Sequence, residues 1–157
     1  MLSPESLKKI EREIAKYPSG QQQSAVMAAL RIAQEEKGWL APETIEFVAG
    51  HLGMQPIAAH EVATFYNMYN LQPVGKYKIT VCTNLPCALM GAGSAVEHLQ
   101  RKLGIGFGET TPDGKFTLKE GECMGACGDG PVATVNNVRL CAKLSPAEAD
   151  RILAGLE

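Results

Sequence analysis

The sequence contains no long hydrophobic run and no block of basic residues. Its 157 residues include 15 Lys and Arg against 17 Asp and Glu, for a formal net charge of −2. Proteins that bind nucleic acid use basic patches to neutralise phosphates, so this composition argues against nucleic acid as the main partner. No segment approaches the ~20 apolar residues of a membrane-spanning helix, and residues 1–9 lack the apolar core of a signal peptide. We therefore expect a cytosolic protein, or one that is peripheral to a membrane without inserting into it.

Complete nucleotide-binding motifs are also missing. Gly91-Ala92-Gly93 resembles the start of a dinucleotide fingerprint, but Val96 stands where the third glycine belongs. No P-loop and no recognisable flavin motif occur. These glycines are better interpreted as a helix start and as turns. The chain therefore lacks a motif with which it could bind a nucleotide cofactor by itself.

The cysteines are few but their spacing is informative. No two of the five are separated by two residues, which argues against a thiol–disulfide catalyst, and their odd number argues against a disulfide framework. Cys82 and Cys87 form a C-x4-C pair, and Cys123 and Cys127 form a C-x3-C pair. Four thiolates on two loops rich in glycine and proline suit a [2Fe–2S] cluster, in which each iron takes two of them. Cys141 lies in a strand-like segment and is predicted to be a buried core residue.

Zinc is the alternative ligand for the same four cysteines. Structural zinc sites commonly use C-x2-C or C-x4-C spacings, so one of the two pairs would fit and the C-x3-C pair is less usual. A zinc-stapled binding module without a redox role therefore remains open at this stage. A purified iron–sulfur protein would be reddish-brown, whereas a zinc protein would be colourless.

Hydrophobic periodicity predicts two parts of different architecture. Residues 1–73 are predicted to form a helical bundle domain, with helices at 4–17, 21–36, 42–52 and 56–63. Residues 74–157 are predicted to form a small α/β domain that carries the four cysteines. It has strands at 77–82, 116–120, 132–135 and 138–141 and helices at 91–103 and 146–156. This β-α-β unit, followed by a hairpin and a helix, has thioredoxin-like order.

Other polar and aromatic residues have simpler interpretations than catalysis. The histidines lie outside the cysteine loops and are expected to be ordinary surface or core residues. The carboxylates beside the second cysteine pair are expected to supply local negative charge. The aromatic segment 65–69 could stack on a partner or cofactor, but packing between the two halves of the chain is the default interpretation. The residues concerned are His51, His60, His98, Glu120, Glu122 and Asp129.

Several separated blocks together carry a family resemblance. Residues 61–66 (EVATFY), 73–77 (PVGKY) and 122–127 (ECMGAC), together with the C-x4-C pair, closely resemble the E subunit family of bacterial NADH–quinone oxidoreductase, the respiratory complex I. The resemblance covers nearly the whole chain. It implies a helical bundle followed by a thioredoxin-like domain with one [2Fe–2S] cluster, whose ligands would be Cys82, Cys87, Cys123 and Cys127.

The same resemblance implies a place in a larger complex. The partner would be the flavoprotein subunit that binds FMN and NADH, and the chain alone would not be catalytic. The complex would lie on the inner side of the plasma membrane, with this cluster beside the main electron path. Related chains serve NAD-linked hydrogenases and formate dehydrogenases, so an equivalent diaphorase subunit is the alternative. One departure concerns the last hairpin, where family members often carry an acidic residue and a tyrosine, and this chain has Asn136-Asn137 followed by Val138.

Overall fold

The computed structural model describes residues 1–156, and in it the chain divides into two compact units. The first unit is Met1–Pro73, and the second begins at Val74. Within the described residues, no helix combines the length and apolar character needed to cross a membrane.

The first unit is a bundle of short helices. Proline at the first turn starts three of them, which is favourable because proline's missing N–H has no partner there anyway. Glycines at positive φ end two of the segments, Gly38 (φ 82°) after the second helix and Gly53 (φ 65°) after the third. Leu30, Leu40 and Leu52 lie fully buried in its core. The helices are α1 Pro4–Ile14, α2 Val26–Lys37, α3 Pro42–His51 and α4 Pro56–Phe65, with a 3₁₀ turn at Gln22–Ala25 before α2.

The second unit is a four-stranded mixed sheet with three helices. The strands are β1 Tyr77–Cys82, β2 Phe116–Gly121, β3 Ala133–Val135 and β4 Arg139–Cys141. The helices are α5 Leu85–Leu89, α6 Ala92–Leu103 and α7 Pro146–Ala154. The strand order is β2-β1-β3-β4, with β1 and β2 parallel and the remaining pairs antiparallel. The predicted α/β class and thioredoxin-like order are confirmed.

Local signals in the sequence account for the ends of several elements. Ser145 accepts a hydrogen bond from the backbone N–H of Glu148 and thereby caps α7, as the capping-box pattern predicts. Asn136 and Asn137 have φ values of 52° and 57° and form the tight turn between β3 and β4. Cys141 lies buried on β4 in the core of this unit, as predicted.

The segment between Cys82 and Cys87 differs from its prediction. The spacing predicts a loop without regular structure, but Leu85–Leu89 forms the short helix α5, on which Cys87 lies. Asn84 is the N-cap, and its side-chain oxygen accepts a hydrogen bond from the N–H of Leu85. Pro86 in the first turn fits this helix because it needs no N–H partner there. The physical reason for the difference is that Asn84-Leu85-Pro86 is a helix start as well as a turn signal.

Candidate metal centre

The sheet topology brings the two cysteine segments to one edge. Cys82 is the last residue of β1, and its register partner on the parallel strand β2 is Gly121. Because β1 and β2 run in the same direction, the segments that follow them leave the sheet side by side. Cys123 comes two residues after Gly121, and Cys127 opens the 3₁₀ turn Cys127–Asp129.

The C-x3-C pair already has the spacing of two ligands on one metal atom. The sulfur atoms of Cys123 and Cys127 lie 3.7 Å apart. Two sulfurs bound at about 2.3 Å to one tetrahedral metal would be about 3.8 Å apart. The backbone N–H of Gly125, which has a φ of 72°, donates to the Cys123 sulfur at 3.4 Å. A hydrogen bond of this kind stabilises a thiolate and tunes a cluster that the thiolate holds.

The C-x4-C pair is buried, whereas the C-x3-C pair is exposed. Cys82 and Cys87 are each 1% exposed, whereas Cys123 and Cys127 lie at the surface. Gly130 lies between the pairs, since a Cβ added there would be 3.3 Å from the Cys127 carbonyl oxygen and 3.6 Å from the Cys87 sulfur. The Cys87 segment and the Cys127 segment are therefore in direct proximity.

One thiol of each pair, that of Cys82 and that of Cys127, has a raised pKa. Burial raises the pKa of Cys82, as does the neighbouring Cys87 thiol, whereas the backbone N–H groups of Asn84 and Met124 act in the opposite direction. The neighbouring Cys123 thiol, through its hydrogen bond and its charge, raises the pKa of Cys127. Four closely spaced thiolates repel one another, and a cationic metal core removes that repulsion.

The chemistry of the donor set fits a binuclear iron–sulfur cluster. The four donors are all sulfur, and they come as two pairs. Among residues 1–156, no three His, Cys, Asp or Glu side chains converge where they could hold one metal ion. A binuclear cluster spreads four sulfur ligands over two irons, two to each iron.

Two of the three carboxylates near the second pair do more than add charge. Glu120 accepts a hydrogen bond from the Thr83 hydroxyl at 2.7 Å, and Glu122 accepts one from the Asn84 side-chain amide at 2.9 Å. Nothing in the sequence alone singles out Thr83 and Asn84 for these contacts. A polar residue after a strand is too common to signal such a role.

The remaining residues lie outside the cysteine site. His51 pairs with Glu11 at 2.8 Å and His98 with Asp150 at 3.0 Å, in agreement with the expectation of ordinary histidines. In the aromatic segment, Tyr69 is buried and donates to the Met27 carbonyl, but Phe65 is 81% exposed.

Comparisons with known proteins identify the family of this chain. The family model for thioredoxin-like [2Fe-2S] ferredoxins matches residues 10–157. Subunit 2 of the NADH-quinone oxidoreductase of Thermus thermophilus is 42% identical over 147 residues, which are 94% of this chain and 81% of that protein. The E subunit of the NADH-quinone oxidoreductase of Rickettsia conorii is 48% identical over 128 residues, which are 81% of this chain and 77% of that protein. These relatives confirm the resemblance predicted from the sequence blocks.

A solved structure shares the fold. A crystal structure of NAD+-reducing [NiFe]-hydrogenase superposes with a TM-score of 0.68 at 20% identity, over 81% of this chain and 22% of that chain. The match shows similarity of fold alone, and this chain spans about a fifth of the hydrogenase chain. The family match over residues 10–157, together with relatives that are 42% and 48% identical, leads to one conclusion. The chain belongs to the family of thioredoxin-like [2Fe–2S] ferredoxins, whose cofactor is a [2Fe–2S] cluster.

Proposed function

We propose that this chain is the electron-transfer subunit of an NADH–quinone oxidoreductase, and that Cys82, Cys87, Cys123 and Cys127 hold its single [2Fe–2S] cluster. The observation that carries the proposal is the meeting of two cysteine pairs at the end of the parallel strands β1 and β2. The relatives at 42% and 48% identity are named subunits of this enzyme. The hydrogenase likeness is one of fold, so a diaphorase subunit of a hydrogenase or formate dehydrogenase is the less favoured candidate.

The protein residues set the conditions under which the cluster works. When bound, the cluster supplies one-electron transfer. The buried Cys82 and Cys87 keep water from one side of the site, and the exposed Cys123 and Cys127 leave the other side open to a partner. The N–H group of Gly125 donates to sulfur and favours added negative charge, whereas the carboxylates of Glu120 and Glu122 oppose it.

The partner that we propose is the flavoprotein subunit of the same complex. NADH gives up a hydride, which carries two electrons, whereas one [2Fe–2S] cluster takes a single electron. A flavin can divide the pair, and this sequence has no nucleotide-binding motif of its own. We therefore place FMN and NADH on the partner, and the assembled complex on the inner side of the plasma membrane without insertion of this chain.

Reconstitution of the two chains tests the proposal. The purified chain alone should not oxidise NADH with an artificial acceptor. When it is mixed with the flavoprotein subunit, the two should co-purify, and NADH should then reduce the cluster, as seen by bleaching of its visible absorption. Rapid NADH oxidation by the isolated chain, with flavin shown to be absent, would contradict the proposal. A colourless chain that contains zinc would contradict it as well.

A further inference from the structure

Three hydrogen bonds join the residues after Cys82 to the residues before Cys123. The backbone N–H of Thr83 donates to the carbonyl of Gly121 at 3.2 Å. The Thr83 hydroxyl donates to Glu120 at 2.7 Å, and the Asn84 amide donates to Glu122 at 2.9 Å. The two side-chain bonds connect positions 37 and 38 residues apart in the sequence, directly beside the two cysteine pairs.

Asn84 has two structural tasks at once. Its side-chain oxygen caps α5, the helix that carries Cys87, by accepting from the N–H of Leu85 at 3.1 Å. Its side-chain NH₂ group binds Glu122, the residue immediately before Cys123. One amide group is therefore bonded to the Cys87 helix on one side and to the Cys123 segment on the other.

We propose that Asn84 and Glu122 are a positioning pair that sets the separation between the two cysteine pairs and so retains the cluster. This inference rests on the proposed ligand set. Residues 122–126 belong to no helix or strand, and Cys123 is exposed. Such a segment opens easily unless side-chain bonds hold it. The bond is charge-assisted, and such hydrogen bonds are stronger than neutral ones.

The Asn84 cap makes a sharp test possible, because serine and aspartate also cap helices. Asn84→Ser keeps a cap and the net charge, but its side chain is too short to reach Glu122. Asn84→Asp keeps the cap and sets two carboxylates against each other. Glu122→Gln removes the charge but keeps an acceptor oxygen. The double variant Asn84→Asp/Glu122→Gln exchanges donor and acceptor and has the net charge of the parent.

The measurement is the rate at which the visible absorption bleaches when excess iron chelator is added to each purified, cluster-loaded protein. Loss of one hydrogen bond to a charged group corresponds to a rate increase of about tenfold or more. We expect that increase for Asn84→Ser and at least that increase for Asn84→Asp. Glu122→Gln should remain within about twofold of the parent, and the double variant should return towards the parent rate.

The alternative explanation is that only charge near the cluster matters. Under that explanation Asn84→Ser would bleach at the parent rate, which would overturn the proposal. A double variant as fast as Asn84→Asp would overturn it too, since the exchanged bond would then restore nothing. Failure of the ligand assignment would be recognised separately, because Cys127→Ser would then keep the visible spectrum of the parent protein.

Discussion

Gly121 is the last residue of β2, at a position where a side chain has no space. A Cβ there would lie 2.6 Å from Cγ2 of Thr80 on the adjacent strand and 3.3 Å from Cε of Met124. Threonine is β-branched and stiff, so it cannot easily move aside. We expect Gly121→Ala to lower the free energy of unfolding by about 1–3 kcal/mol, measured by urea denaturation. The yield of cluster-loaded protein should fall with it, because Gly121 directly precedes the Cys123 segment.

Two further variants separate this clash from a general need for glycine near the cluster. Gly128 follows a proposed ligand directly, but a Cβ there would meet no atom within 4 Å. Gly128→Ala should therefore retain stability and iron content. Thr80→Ala combined with Gly121→Ala removes the clashing methyl group and should recover part of the lost stability. If Gly128→Ala were as damaging as Gly121→Ala, the steric explanation would be wrong.

Cys141 and Cys127 differ in surroundings although both are free thiols. Cys141 is buried on β4 in the apolar core, and burial raises the pKa of its thiol. Cys127 is exposed, with its sulfur 3.7 Å from that of Cys123. We expect Cys127→Ser to lose or badly destabilise the cluster, because serine is a poor iron ligand at neutral pH. Cys141→Ser should leave the visible spectrum nearly unchanged, and the reverse pattern would refute the ligand assignment.

At the scale of elements, one carboxylate connects the start of α1 to α2. Glu36 on α2 accepts hydrogen bonds from the backbone N–H of Ser3 at 2.9 Å and from its hydroxyl at 2.8 Å. Ser3 is itself the N-cap of α1. The Ser6 hydroxyl and then the groups of Ser3 lower the pKa of Glu36 from 4.5 to about 2. The charged form of Glu36 therefore favours the folded state.

This lowered pKa gives a definite pH dependence. A carboxylate whose pKa is lower in the folded state stabilises the protein above its ordinary pKa, and the effect disappears as pH falls through the lowered value. Glu36→Gln should be less stable than the parent at pH 6, and the difference should shrink between pH 4.5 and about 2. Urea denaturation at several pH values measures this. Glu35→Gln, on the same helix, is the control, and an equal pH dependence there would contradict the role of Glu36.

Local sequence signals predicted most elements, because their determinants lie within a few residues. Alternating β-branched residues predicted β1 with the bounds that the structure has, and Ser145 with Glu148 predicted the start of α7. Helix α5 was missed since it is a single short turn whose cap, Asn84, equally well begins a loop. The different exposure of Tyr69, which is buried, and Phe65, which is exposed, could not be read from the sequence, because it depends on tertiary contacts.

At the scale of the whole molecule, spacing predicted the ligand types but not the contacts that arrange them. The cysteine pairs could be found from their intervals of four and three residues. The contact of Asn84 with Glu122 could not, because it depends on the parallel register that places Cys82 opposite Gly121. The position of Gly130 beside the Cys87 sulfur could not be predicted from the sequence either. Such contacts are non-local, and a single sequence does not encode their register in any local pattern.

The division of the chain leads to a last prediction about where the cluster resides. The residues up to Pro73 and those from Val74 onward each have a hydrophobic core of their own, and all four proposed ligands lie in the second unit. A fragment of residues 74–157 should therefore fold and show the visible spectrum of the full chain, with about two irons and two acid-labile sulfides per chain. A fragment of residues 1–73 should be colourless and helical by circular dichroism. If the 74–157 fragment held no iron until the 1–73 fragment was added, the cluster site would need both units. The assignment of residues 74–157 as a self-sufficient cluster domain would then be wrong.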